Sequence, residues 1–366
     1  MTVAFFTTEA CDGLARAGSV RTPRGGFSTP CFMPVGTRGA VRLLSSADLE
    51  DLGAEVVLAN TYHLMARPGA DVVAGMGGLH RFEGWTGQML TDSGGYQVFS
   101  LRPHVDDGGV TFRSTYDGSP QRLTPEGTVA AQELLGADIQ MALDVCPGLP
   151  APDEVVRAAM ERTLAWGKRA RAAHTRADQC LFGIVQGGTS VELRAEAADR
   201  TVALDFDGYA IGGLSVGEKK QHMLPALAAV TSRLPADRPR YLMGVGDPLS
   251  IIDAVALGVD MFDCVLPTRL ARHGTALTSE GRYQIKAARY ARDGGPLDPG
   301  CGCTVCGRWS RAYLRHLFMV GEPTAARLLT LHNLYWLLGF VAEVRSAVRG
   351  GALGELRSRV GAVWER

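Results

Sequence analysis

From about residue 30 onward, short apolar runs alternate with longer segments in which apolar residues recur every three or four positions. The runs CFMPVGT (31–37), EVVLANTY (55–62), QMLTDSGG (88–95), DIQMALD (138–144), CLFGIVQGG (180–188), DGYAIGGL (207–214), RYLMGVG (240–246) and VDMFDCVL (259–266) read as strands. Each ends in small or polar residues, the sign that the chain is leaving a sheet. Helical patterns separate most of them: 46–53, 124–136, 151–174, 191–203, 218–234 and 247–258. Eight strands with crossover helices predict an α/β fold, a closed (β/α)8 TIM barrel. An open, doubly wound sheet is the rival arrangement. In both, chemistry collects at the carboxyl ends of the strands.

Two regions fall outside the alternation. Residues 1–30 read as antiparallel hairpin material capping one end. Residues 266–320 interrupt the last strand-to-helix connection, after which PTAARLLTLHNLYWLLGFVAEVRSAV supplies a long final helix. With no internal repeat, low-complexity tract or flexible linker, the reading is one domain over 1–366 carrying a 266–320 subdomain within it.

Composition changes this picture little. Hydrophobic residues make up 46 % and charged residues 21 %, enough for a substantial core. The apolar start MTVAFF has no cationic leader, and LYWLLGFVAEV is too short and charge-broken to span a bilayer, so the expectation is a cytoplasmic protein without membrane contact. Net charge is zero, so any nucleic-acid surface must be local.

Three of the eight cysteines, Cys301, Cys303 and Cys306, fall within six positions in PLDPGCGCTVCGRW. C-x-C-x2-C places three soft thiolates within reach of one tetrahedral metal, zinc above all. A fourth ligand is needed, and the spacing leaves His316 and His332 both open. Three thiolates favour a structural role, since catalytic zinc keeps an open position. Around the cluster, Arg269, Arg272, Arg282, Lys286, Arg289, Arg292, Arg308, Arg311 and Arg315 outnumber Glu280, Asp293, Asp298 and Glu322, a local cationic excess suited to phosphates.

Asp92 in TDSGGYQVFS, Asp144 in MALDVCP and Asp263 in MFDCVLPTR each follow a predicted strand, so a barrel aims all three into one mouth. An ionised carboxylate there can attack a sugar carbon while a second carboxyl handles the proton. The Gly-rich ends IVQGG and IGGLSVGE bring backbone amides close to a planar ligand, with Gln186 offering both donor and acceptor. A competing pattern is Gly213–Gly217, which matches the G-x-S-x-G elbow of serine hydrolases around Ser215, although no later acid and histidine stand out at strand ends.

The segments NTYHLMARPG, TDSGGYQVFSL, FGIVQGG, GGLSVGE, YLMGVG, DMFDCVLPTR and C-G-C-x-x-C with His332 occur in fixed order through essentially the whole chain. Together they resemble bacterial-type tRNA-guanine transglycosylases. The resemblance implies a (β/α)8 barrel with a zinc-binding insertion, exchanging guanine at the wobble position of GUN-anticodon tRNAs for 7-aminomethyl-7-deazaguanine, without ATP, in queuosine biosynthesis. It implies Asp263 as the nucleophile on the ribose anomeric carbon and Asp92 as the general acid/base. Asp144 would accept from the guanine N1 and exocyclic amine, Gln186 and the backbone of Gly213 and Leu214 would meet the carbonyl, and Ser93 would stand beside Asp92.

The same resemblance has Tyr96 and Met243 sandwich the ring, and Cys146 and Val216 match the bacterial pattern. Arg269 and Arg272 would contact the anticodon-loop backbone. Cys301, Cys303, Cys306 and His332 would hold one structural Zn2+ per chain. Trp309, Tyr313 and His316 match an aromatic patch at a homodimer interface. One departure is DVCP where the family continues Glu-Cys, so Val145 is expected to remove a carboxylate from the pocket wall. A non-catalytic partner subunit is the alternative within the family, opposed by the presence of all three aspartates.

Overall fold

The computed structural model describes residues 6–101, 103–215 and 217–365. The eight predicted strand runs form one parallel barrel: residues 31–36, then Val56–Ala59, Gln88–Thr91, Ile139–Met141, Cys180–Val185, Gly208–Ile211, Arg240–Leu242 and Met261–Asp263. Closure depends on a break at Pro34 within the first strand. Cys31–Met33 pairs with Met261–Asp263, whereas Val35–Gly36 pairs with Val56–Ala59. Proline has no N–H to give to a ladder. Its carbonyl still accepts from the Leu58 N–H at 3.0 Å, so the strand changes partners without leaving the sheet. The open-sheet alternative is thereby excluded.

The strands are shorter than the apolar runs that announced them. The run 55–62 leaves the sheet after Ala59, and Thr61–Ala66 is already helical. The polar ends thus project beyond the barrel, which is why they are free for chemistry. The predicted helices appear as Ser46–Asp51, Pro125–Leu135, Asp153–Ala173, Val191–Val202, Lys220–Thr231, Pro248–Ala256 and the final long helix Pro323–Arg349. Their starts follow local capping: the Thr124 hydroxyl accepts from Gly127 N–H at 3.0 Å and the Asp247 carboxylate from Ser250 N–H at 2.9 Å.

Two apolar layers hold the barrel. The interior contains Met33, Val56, Leu58, Leu90, Ile139, Phe182, Ile184, Tyr241 and Met261. The larger outer layer packs strands against helices. The amino-terminal strands Phe6–Asp12, Ala15–Thr22 and Gly25–Thr29 form the expected antiparallel cap, and Phe6, Val20 and Phe27 plug the barrel interior from the amino-terminal end. Ion pairs seal that seam: Arg16 donates to the buried Asp260 at 3.1 Å, and Arg24 to the buried Asp138 at 2.8 Å.

Beyond the last barrel strand come the helix Leu266–Arg272, the hairpin Thr275–Thr278/Gly281–Gln284 and the short helices Thr304–Arg308 and Arg311–Met319. They share a small core of Ala276, Ile285, Leu297, Val305, Leu314 and Leu317, closed by Leu328 and Leu329 of the final helix. Several elements lie outside the sequence expectations, among them the short helices Ala70–Gly75 and Leu79–Glu83 between the second and third barrel strands. A three-stranded antiparallel sheet, His104–Asp106, Gly109–Arg113 and Pro120–Leu123, is inserted after the third barrel strand, and a helix Leu353–Trp364 ends the chain. Among the described residues no helix is long and apolar enough to cross a membrane.

Candidate active site at the carboxyl end of the barrel

A cavity of about 440 Å³ opens at the carboxyl ends of the strands, and Asp92, Asp144 and Asp263 all line it. Each is fixed differently. Asp92 follows its strand directly and accepts from the Thr61 N–H at 2.8 Å, the Gly94 N–H at 3.2 Å and the Asn60 side-chain amide. Gly94 makes the turn possible: it adopts φ +75, and a Cβ there would stand 3.2 Å from the Tyr62 nitrogen. Burial outweighs these donors and raises the Asp92 carboxyl to about 6.

Asp144 sits three residues past its strand and accepts from Gln186 Nε2 at 2.6 Å. Its carboxyl is also raised to about 6, by burial first and by the negative charge of Asp92 to a lesser degree. Asp263 ends the eighth strand. The Tyr241 hydroxyl donates to its Oδ1 at 2.6 Å and the Gly244 N–H to the same oxygen at 2.8 Å. Burial raises this carboxyl too. The Tyr241 hydroxyl is held well above its usual range by burial and by Asp263, so it remains a donor.

The walls are lined by Ser93, Tyr96, Cys146, Gly213, Leu214 and Met243, with Arg269 at the rim. Tyr96 is 66 % exposed, so it is not core packing but an open face at the mouth. Burial pushes the Cys146 thiol up to about 12 and keeps it protonated. Gln186 is buried behind the wall, its amide committed to Asp144 and its Oε1 without a partner. Gly213, at φ +66, lets the chain pass over it; a Cβ would sit 2.2 Å from Gln186 Oε1.

Arg272 does not line this cavity but an adjoining one. Val145 corrects a sequence expectation. Its side chain lies in the apolar cluster of Tyr62, Leu143 and Trp166, and its N–H donates to Thr163 Oγ1 at 2.9 Å, so it is no part of the pocket wall. Val216 lies outside the described residues.

Several residues at the site were given no individual role in the sequence reading. Asn60, Thr61, Tyr241 and Gly244 lie within the segments NTYHLMARPG and YLMGVG, but the carboxylates they hold emerge only in the fold. Arg194 is fully buried and donates to three carbonyls: Val185 at 2.8 Å, Gly188 at 2.8 Å and Gly213 at 3.2 Å. It ties together the two glycine turns behind the cavity. Burial lowers its guanidinium to about 10, so it stays charged at neutral pH.

Ser215 has the left-handed backbone, φ +61, that a nucleophile elbow needs. However, residue 215 donates its backbone N–H to Glu218, and no histidine is bonded to its hydroxyl among the described residues. An alcohol without a base is not an activated nucleophile.

The cysteine cluster resolves the choice of fourth ligand. His332 Nδ1 lies 3.8, 3.5 and 3.4 Å from the sulfurs of Cys301, Cys303 and Cys306. All four ligand atoms fall within 4.8 Å of one another. A tetrahedral ion with ordinary metal–sulfur and metal–nitrogen bonds sets such edges at about 3.5 Å. His332 Nε2 is 2.8 Å from the Leu277 carbonyl, which accepts its proton and leaves Nδ1 bare for a metal. The residues therefore fit a bound ion. His316 is exposed on the helix Arg311–Met319 and takes no part.

The chain matches the family described as Queuine tRNA-ribosyltransferase over residues 11–366. Among its relatives, the queuine tRNA-ribosyltransferase of Herpetosiphon aurantiacus is 53 % identical over 94 % of this chain and 88 % of its own length. That of Geobacillus kaustophilus is 52 % identical over 94 % of this chain and 91 % of its own. That of Thermus thermophilus is 51 % identical over 96 % and 91 %. With a closed barrel, three acids at its mouth and agreement along nearly its whole length, the chain belongs to the queuine tRNA-ribosyltransferase family, and so to the transferases.

Proposed function

We propose that this protein exchanges guanine at the wobble position of tRNAs with a GUN anticodon for 7-aminomethyl-7-deazaguanine, in queuosine biosynthesis, through a covalent aspartyl-ribosyl intermediate. The observation that carries the reading is the convergence of three carboxylates, two of them buried and Asp263 partly open, on one cavity. Both anchoring bonds of Asp263 fall on Oδ1. Its Oδ2 then attacks the ribose C1′, the glycosidic bond breaks, and the bonding pair leaves with guanine. Asp92, whose carboxyl titrates at about 6, protonates the departing base and later takes a proton from the incoming one. The second base attacks C1′ and releases Asp263. One glycosidic bond is broken and one formed, so no ATP is needed.

Asp144 would accept from N1 and the exocyclic amine, and the backbone of Gly213 and Leu214 would meet the carbonyl. Gln186 would join them by turning its amide from Asp144 towards the base. Tyr96 and Met243 would cover the two ring faces, with Ser93 and Cys146 completing the wall. Arg269 and Arg272 would hold the anticodon-loop backbone. Zinc is the metal that three thiolates and an imidazole suit, and its part is to stiffen the 266–320 segment. Tyr313 and His316 are exposed, and nearby Met319 is 56 % and Val320 62 % exposed. This patch supports a homodimer. The substrates place the enzyme in the cytoplasm.

The test is incubation with such a tRNA and labelled guanine. The parent incorporates label and Asp263→Asn lowers the rate by at least about 10³-fold. A protein–RNA adduct on denaturing gels accompanies turnover. Full activity in Asp263→Asn, or turnover without an adduct, rejects the mechanism. A chain inactive alone but activated by a homologue supports the partner-subunit reading instead.

A further inference from the structure

Part of the cavity wall is built from consecutive glycines, Gly212 and Gly213. Neither position tolerates a side chain: a Cβ on Gly212 would stand 2.8 Å from Gln186 Nε2, and one on Gly213 2.2 Å from Gln186 Oε1. Gln186 is itself followed by Gly187 and Gly188, at φ +140 and +57. Glycine has the widest backbone freedom of any residue. Donors on such turns are poorly aimed unless a group outside the turns holds them.

Arg194 is that group. It belongs to the helix Val191–Val202 and is 0 % exposed. Among the described residues its guanidinium donates to backbone carbonyls alone. Two of them, Val185 and Gly188, bracket Gln186 and accept at 2.8 Å; the third is Gly213, at 3.2 Å. The Gly212 N–H donates to the same Val185 carbonyl at 3.1 Å, so both ends of the Gly212–Gly213 turn are fastened to one point. The peptide after Gly213 is trans. With its carbonyl turned back to Arg194, the Leu214 N–H points the opposite way, towards the cavity that Leu214 lines. Gly213 and Leu214 are buried, yet their N–H groups donate to no acceptor among the described residues. Buried N–H groups seldom stand unpaired unless a ligand receives them. The charge behind the turn also reaches the cavity, since Arg194 opposes the rise of the Cys146 thiol on its wall.

We propose that Arg194 is a positioning residue for base recognition, pinning the two glycine turns so that the N–H groups of Gly213 and Leu214 stay aimed at the carbonyl oxygen of the purine. The inference rests on the base-exchange reading above and adds to it a residue that never touches the base. A cation bonded to the carbonyl of a peptide polarises that peptide and makes its N–H a stronger donor. Donors fixed before the base arrives need no reorganisation when it binds.

The test measures binding of guanine and of 6-thioguanine to the full-length parent and to Arg194→Lys, below the Tm of each. 6-Thioguanine keeps the ring N–H and the amine but offers sulfur, a poor acceptor, in place of the carbonyl oxygen. Lysine keeps the charge and loses the fork that holds three carbonyls at once. Arg194→Lys should reduce the preference for guanine over 6-thioguanine by about tenfold, nearly all of it through weaker guanine binding. A purely structural role would weaken both bases alike, so an unchanged preference overturns the inference. Should the lysine variant not fold, replacing the amide between Gly213 and Leu214 by an ester removes the Leu214 N–H from an otherwise parental chain. The same loss of preference supports the inference, and a parental preference overturns it. If the parent itself neither binds guanine nor exchanges it, the function reading falls first, before any substitution is made.

Discussion

Asp92, Asp144 and Asp263 carry the same functional group, yet the fold gives each a different set of partners. Asp92 and Asp144 are both raised to about 6 because the cost of burying charge exceeds what their donors return. Such groups hold protons more tightly folded than unfolded. Their stabilising contribution is therefore complete below about pH 4 and is lost as the pH rises through about 6. Asp92→Asn cannot ionise and escapes that loss. Between pH 4 and pH 8 its stability should improve relative to the parent by about 3 kcal/mol, the worth of moving a carboxyl from about 4 to about 6. Chemical denaturation at the two pH values checks it; a constant difference would mean that Asp92 titrates normally. That the three acids sit at strand ends was legible in the sequence. Their partners were not: Asn60, Tyr241 and Gln186 come from other strands, and only barrel closure makes them neighbours.

At the scale of elements, the metal-binding loop shows how far spacing reaches. C-x-C-x2-C announced three ligands, but the fourth lies on the helix Pro323–Arg349, 26 residues beyond Cys306. A bound ion would therefore clamp the loop to that helix, whose Leu328 and Leu329 also close the small core of the segment. Removing metal with a chelator should lower Tm by roughly 5 °C or more and weaken tRNA binding while free guanine still binds. Loss of guanine binding in step with metal content would assign the ion to the active site. The inserted sheet 104–123 escaped the sequence reading because its strands are short and largely polar, with burial concentrated at Val110, Phe112 and Leu123. An antiparallel sheet with one solvated face gives a weak signal beside fully buried parallel strands.

At the scale of the whole molecule, the cap and the barrel fold as one apolar unit, and their seam is held by buried charge. Arg16 donates to Asp260 and also to the carbonyls of Ala236 at 2.8 Å and Arg238 at 3.0 Å. Arg16→Met leaves Asp260 buried without its main partner and should destabilise the protein by about 3–5 kcal/mol. Adding Asp260→Asn should recover much of the loss, which denaturant titration of the double variant measures; additive losses would mean that the pair is not coupled. The sequence by itself determined the eight strands, the order of strand and helix, the amino-terminal cap and the identity of the three acids and three thiols. Those are properties of local pattern, in which burial on both faces demands continuous apolar runs and the polar residues that follow mark where the chain emerges. Only the tertiary structure decided that Pro34 lets the barrel close, that Val145 turns into the core, that His332 Nδ1 stands within 3.8 Å of all three sulfurs and that Arg272 lines a cavity beside the one that holds the three acids. Each of these depends on residues far apart in the chain meeting in space, and no local pattern records which distant group a side chain will meet.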